Sequence, residues 1–144
     1  MKNLVLIVCL TAGYCTANAQ FVTRLDTISV KNDKPVYVEK LASDPLVSSF
    51  LIEIEKEVAM HFHKQHSEHV YVLSGAGLLT LDNETYRIEA GNLIYIPQAT
   101  LHSVVVTSDE PMRVLSIQAP EYSGRDQVFV RPQLPTQKTD EGRY

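Results

Sequence analysis

His61-Phe62-His63-Lys64-Gln65-His66-Ser67-Glu68-His69-Val70-Tyr71-Val72-Leu73-Ser74-Gly75 reads as strand, loop and strand, with metal-ligand side chains gathered at the junction. Residues i and i+2 of a strand point to one face, so His61 and His63 present two imidazoles to a single ion while Phe62 turns away. Glu68 lies an odd number of residues after His63, and an unbroken strand would send its carboxylate to the opposite face. The polar segment from Lys64 to Ser67 must therefore loop and reset the register. A third imidazole stands downstream. His102 follows Gly91-Asn92-Leu93-Ile94-Tyr95-Ile96-Pro97-Gln98-Ala99-Thr100-Leu101, a strand stopped by a proline turn, and a second short strand would bring it back over the first.

Outward from this stretch the chain alternates short apolar runs with turn residues, and no segment sustains the i, i+3, i+4 pattern of a long amphipathic helix. Strands are expected at residues 27–30, 36–39, 50–54, 58–63, 69–73, 77–81, 85–88, 93–96, 102–107 and 113–118, with a single helical turn within 40–49. Asp33-Lys34-Pro35, Asp82-Asn83-Glu84 and Asp109-Glu110-Pro111 place Asp, Asn and Pro where they favour turns. Many short strands at regular spacing indicate an all-β sandwich, jelly roll or barrel. Val70, Val72, Val104 and Val106 share faces with the ligands by alternation and should line the interior. His69 should point out of it. Val128-Phe129-Val130, after the polar turn Tyr122-Ser123-Gly124-Arg125-Asp126, reads as a last strand or a lid edge.

The first 19 residues read as a signal peptide. Met1-Lys2-Asn3 is a short positive start, residues 4–10 are apolar, and Ala17-Asn18-Ala19 is a small-x-small cleavage signature before Gln20, which implies a secreted or periplasmic protein. The apolar run is far below the roughly 20 residues a spanning helix needs, so no membrane anchor is expected. Cys9 and Cys15 both fall in this segment, which removes thiolate ligands, cysteine nucleophiles and disulfides from the mature chain; bulky Tyr14 disfavours lipid attachment at Cys15. Removing 19 of 144 residues leaves 125, and taking one of 13 basic residues leaves 12 against 17 acidic ones. That length suits one domain, residues 20–131, followed by a flexible C-terminal tail at 132–144 with little to bury. The acidic balance and the lack of a basic block argue against a nucleic-acid partner.

The pattern His61-x-His63-x4-Glu68-x6-Gly75 followed by Gly91-x5-Pro97-x4-His102 resembles the paired motifs of the cupin superfamily, over a core of about residues 50–118. Three positions differ from the family pattern: Glu55, Ala99 and Val106 stand where a glycine, a glycine and an asparagine are common. None is a ligand. The resemblance implies a small single-domain double-stranded β-helix, a jelly-roll barrel. It also implies one divalent transition metal (Fe, Mn, Ni, Cu or Zn) held by His61, His63, Glu68 and His102. It implies a homodimer as well, since cupins often pair through N-terminal strands, here residues 27–39.

Three neutral imidazoles and one carboxylate leave a divalent ion with a net charge of about plus one and two open octahedral positions, a geometry suited to Lewis-acid and oxygen chemistry on a small chelating molecule. The resemblance implies a metal-dependent enzyme, with dioxygenation the leading reaction. Isomerase or lyase activity and non-catalytic binding of a sugar or acid are the alternatives. Glu68 is also a candidate general base, as proposed for some relatives. Tyr122, in a polar loop after the last barrel strand, and His66, in the loop beside the ligands, are further catalytic candidates. Arg87, Arg113, Arg125 and Gln118 would suit an acidic or carbonyl substrate, although exposed salt partners are the commoner fate of such arginines.

Overall fold

Period-two alternation sorts most strands into an apolar and a polar face, and burying the apolar faces against one another requires two sheets. The computed structural model, which describes residues 22–29 and 34–130, has ten strands. They are β1 (Val36–Asp44), β2 (Val47–Ile54), β3 (Glu57–His63), β4 (Ser67–Ser74), β5 (Ala76–Leu81), β6 (Glu84–Glu89), β7 (Leu93–Ile96), β8 (His102–Val106), β9 (Met112–Ala119) and β10 (Gln127–Phe129). One sheet has the order β1-β2-β9-β4-β7 and the other β10-β3-β8-β5-β6. All pairings are antiparallel. This is the all-β, two-sheet jelly-roll barrel that the resemblance implies, with the core between the sheets. The expected leader at 1–19 and tail at 132–144 lie outside the described residues. No helix among the described residues is long and apolar enough to cross a membrane.

The inward faces change character along the barrel. On β9, Met112, Val114, Ser116 and Gln118 are all buried, so one face runs from apolar to polar within a single strand. On β4 the inward row is Glu68, Val70 and Val72, and on β8 it is His102, Val104 and Val106. Ile54, Val72, Leu79, Ile88, Ile94, Met112 and Val114 belong to the dry core, with Val70 and Val106 packed against it. The same inward rows therefore carry both the core and the polar site.

Three local features position the candidate ligands. A β-bulge separates Val58 from His61 in the pairing of β3 with β8, and places His61 directly opposite His102; bulges re-aim side chains in this way. The chain then crosses from one sheet to the other between His63 and Ser67, which accounts for the odd spacing to Glu68. It crosses back at Gly75 (φ +82°), where a Cβ would lie 2.8 Å from the Met112 backbone, so only glycine fits.

Two expectations require correction. Residues 40–49 form no helical turn: β1 runs on to Asp44, whose Oδ1 accepts the backbone N–H groups of Leu46 (2.8 Å) and Val47 (3.0 Å) around Pro45. An Asp-Pro turn of this kind closes a hairpin. The strand expected from Thr27 is replaced by a 3-10 turn, Leu25–Thr27. There Thr27 donates to the Arg24 carbonyl through both its backbone N–H and its hydroxyl, and Arg24 pairs with Asp26. Such local bonds compete with a sheet ladder.

Ala99, where the motif it resembles commonly has glycine, adopts φ +62°, and its N–H donates to the His63 carbonyl at 2.8 Å. An alanine in this region carries strain of about 1–2 kcal/mol, against about 0.5–1 kcal/mol of extra chain entropy for glycine. Ala99→Gly is therefore expected to stabilise the fold by about 0.5–1 kcal/mol. Thermal unfolding should show the midpoint rising by a few degrees; an unchanged or lower midpoint would count against strain at this turn.

Candidate metal centre

His61, His63 and His102 lie together at the polar end of the barrel, each buried, with ring nitrogens within 4.8 Å of one another. Ring centroids are 4.0 Å apart for His61 and His102, 5.1 Å for His61 and His63, and 5.3 Å for His63 and His102. Glu68 approaches from the opposite sheet. Its Oε2 stands 3.5 Å from His63 Nε2 and 3.7 Å from His102 Nε2. These are long for hydrogen bonds, but they are spans that a cation with bonds near 2.1 Å can bridge.

The donor set fits a divalent transition metal. His61 Nδ1–H donates to the Ala59 carbonyl (2.8 Å) and His102 Nδ1–H to the Thr100 carbonyl (2.9 Å), which fixes both tautomers with the Nε2 lone pair free. His102 Nε2 is buried without a hydrogen-bond partner, a condition that metal ligation would satisfy. On the other side, Ser116 Oγ–H and Gln118 Nε2–H (3.2 Å) both donate to Glu68 Oε1. Oε2 is left facing the imidazoles.

The charge states agree with this assignment. Burial, followed by the neighbouring His102 charge, pushes the His61 imidazole down to about 4. Burial also lowers His102. For Glu68 burial acts upward, but the polar contact with His63, the hydrogen bond from Ser116 and the nearby His102 and His63 imidazoles outweigh it and hold the carboxyl at about 2. Near neutral pH the cluster therefore offers neutral His61 and His102 imidazoles and an ionised carboxylate, the forms that bind metal.

The other candidates are distributed around this cluster. Tyr122 lies on the wall of the barrel cavity, edge-on to Phe50 (5.7 Å) and His63 (6.3 Å). Burial, then the Asp126 and Glu68 charges, raises its phenol and keeps it protonated. His66 is not on that wall. It is 2% exposed, stacked behind His63 with centroids 4.2 Å apart, and its Nδ1 pairs with Asp126 Oδ2 at 2.6 Å. His69 is on the outer face of the sheet, against Tyr95. Arg87 and Arg125 are exposed, and Arg113 is engaged by Glu53 and the carbonyls of Leu25 and Ile28.

Sequence reasoning overlooked Ser116 and Asp126. Asp126 anchors the loop that crosses between the sheets: its backbone carbonyl accepts Lys64 N–H (3.0 Å), and its carboxylate accepts Gln65 N–H (3.3 Å) as well as pairing with His66. No spacing rule links it to the histidines. Ser116 was signalled only by two polar residues, Ser116 and Gln118, alternating within an apolar strand.

Comparison with known proteins agrees with this geometry. The family model described as Cupin domain matches residues 50–118. An uncharacterized protein of Aquifex aeolicus is 34% identical over 95 residues, covering 66% of this chain and 78% of that protein. Another uncharacterized protein, from Methanocaldococcus jannaschii, is 34% identical over 76 residues, 53% of this chain; the match spans 61% of the relative's length. Among solved structures, Streptomyces Pac13, described as a nucleoside dehydratase, superposes with a TM-score of 0.64 at 21% identity, covering 78% of this chain and 92% of that one. That likeness is one of fold.

The shifted groups set a pH dependence for the metal-free protein. The folded state resists protonating His61, so stability should fall as pH drops from the ordinary histidine value of 6.5 towards 4,. Glu68 adds a second decline as pH falls from 4.5 towards 2,. Urea unfolding of chelator-treated protein should show both losses, and a flat profile above pH 4 would contradict the His61 environment. Ser116→Ala, which removes a support of Glu68, should weaken metal affinity by about 10–100-fold, measured by competition with a metallochromic chelator.

Proposed function

The chain belongs to the cupin family, and on that premise we propose that it binds one divalent transition metal through His61, His63, Glu68 and His102 and acts as a metal-dependent enzyme on a small oxygenated molecule. The observation that carries this reading is the buried cluster of three imidazoles and a carboxylate opening onto the interior cavity. When bound, the ion would supply Lewis acidity and coordination sites for substrate and dioxygen. Dioxygenation is the reaction class we favour.

The protein groups have separate tasks in this scheme. The Nδ1 bonds of His61 and His102 orient two ligands, and Ser116 and Gln118 hold Glu68. The aliphatic cavity wall excludes water and strengthens the electrostatics of the centre. Tyr122, kept protonated on the wall, is placed to act as an acid towards a bound substrate,. His66 acts through His63 as a positioning residue. A proton-transfer reaction of the lyase or isomerase type is the second reading, favoured by that phenol. We further propose that the protein functions outside the cytoplasm and as a homodimer; fractionation of expressing cells tests the first and gel filtration of the purified protein the second.

His63→Ala and His102→Ala should each abolish stoichiometric metal binding, whereas His69→Ala, on the outer face, should leave it nearly unchanged. Metal analysis of the purified variants is the check, and loss in His69→Ala equal to that in His102→Ala would overturn the ligand assignment. Oxygen uptake with a panel of small diols and diketones tests the reaction class. Substrate turnover without oxygen consumption would replace dioxygenation by the proton-transfer reading.

A further inference from the structure

The cavity beside the metal cluster has a volume of about 160 Å³. A dry cavity of about 150 Å³ accommodates benzene. Its walls are aliphatic: Val70, Leu79, Ile94, Val104 and Met112 are representative, and neither a lysine nor an arginine lines it. A carboxylate, phosphate or sulfonate placed inside would have no counter-charge except the metal, and burying an uncompensated anion is costly. The arginines that would have suited an acidic substrate all lie elsewhere.

Apart from nitrogens of the His63 and His102 imidazoles, one polar atom of the described residues lining this cavity has unused capacity. Gln118 Oε1 is buried and has no hydrogen-bond partner. Its orientation is fixed, because Gln118 Nε2 donates to the carboxylate of Glu68, which in its ionised form only accepts. That acceptor lies beside Glu68 just beneath the cavity surface, so a ligand donor at this corner would reach it by a small shift of the Gln118 side chain.

We infer that the ligand of this centre is a compact, uncharged molecule with a benzene-sized hydrocarbon body and a hydroxyl-bearing chelating end. The inference rests on the proposed metal centre and narrows its substrate class. Charge supports it against polyanions: an ion of net charge about plus one becomes neutral when such a molecule loses one proton on coordination, whereas a di- or trianion would leave uncompensated negative charge in an apolar chamber. A monoanion such as lactate also neutralises the ion and is disfavoured because it lacks the hydrocarbon body that fills the chamber. The second hydroxyl keeps its proton and donates it to Gln118 Oε1.

Three probes separate head, body and charge: catechol, its disulfonated derivative tiron, which has the same chelating head with two added anionic groups, and lactate, an anionic hydroxy acid with almost no body. Their binding to protein loaded with zinc, which is redox-silent, is read by calorimetry, with zinc content measured on the same samples. We expect catechol to bind about tenfold or more tighter than tiron or lactate. Gln118→Leu should lower catechol affinity relative to wild type at equal zinc content. Equal or tighter binding of tiron or lactate, or no catechol binding by zinc-loaded protein, overturns the inference. Failure to hold one zinc overturns the metal centre itself, and the two failures are thereby distinguished.

Discussion

An ionised carboxylate held between two sheets constrains the rest of this molecule. Glu68 is 6% exposed, and removing a charge from water costs several kcal/mol unless nearby dipoles and charges replace the lost hydration. The replacements come from three other strands. Ser116 and Gln118 on β9 hold one oxygen, while His63 on β3 and His102 on β8 face the other. These groups can meet at one point only because the inward rows of the two sheets are in register at the same end of the barrel. The apolar opposite end, around Met112 and Val114, follows from the same alternation.

Placement of the ligands depends on irregularities in otherwise regular strands. The bulge after Val58 aims His61, the crossing loop reverses the direction from which Glu68 approaches, and the tight turn at Ala99 ties the approach to His102 to the backbone of His63. Each breaks a local rule that the flanking strands obey. Such breaks are expected where a site, rather than packing, dictates the backbone.

What could be read from the chain was governed by range. His61 and His63 were legible because two-residue periodicity is a property of the strand itself, and His102 because its motif is local to a proline turn. Parity alone announced that the chain must break between His63 and Glu68, but it could not say what would hold the break. That role belongs to Asp126, distant in sequence and reached only when β10 pairs with β3. Likewise the Asp-Pro turn at residues 44–45 was misread within a supposed helical turn, because the propensity of 40–49 was weighed without its strand partner β2. His66 lay in a polar loop by composition and is nearly fully buried, since tertiary contact with Asp126 overrides loop character.

The four candidate ligands do not come from one layer. His61, His63 and His102 project from one sheet and Glu68 from the other. An ion shared by all four would act as a cross-link through the interior, the kind of staple that disulfide-rich domains build from cystine, in a chain whose described residues contain no cysteine,. The covalent kind is set once, by oxidation. A coordinated one is set by free-ion activity, and stability rises with its logarithm once the site begins to fill. The cohesion of the two sheets would then depend on how much metal the surroundings supply, and the equilibrium stability of the fold would report the free-ion activity around it.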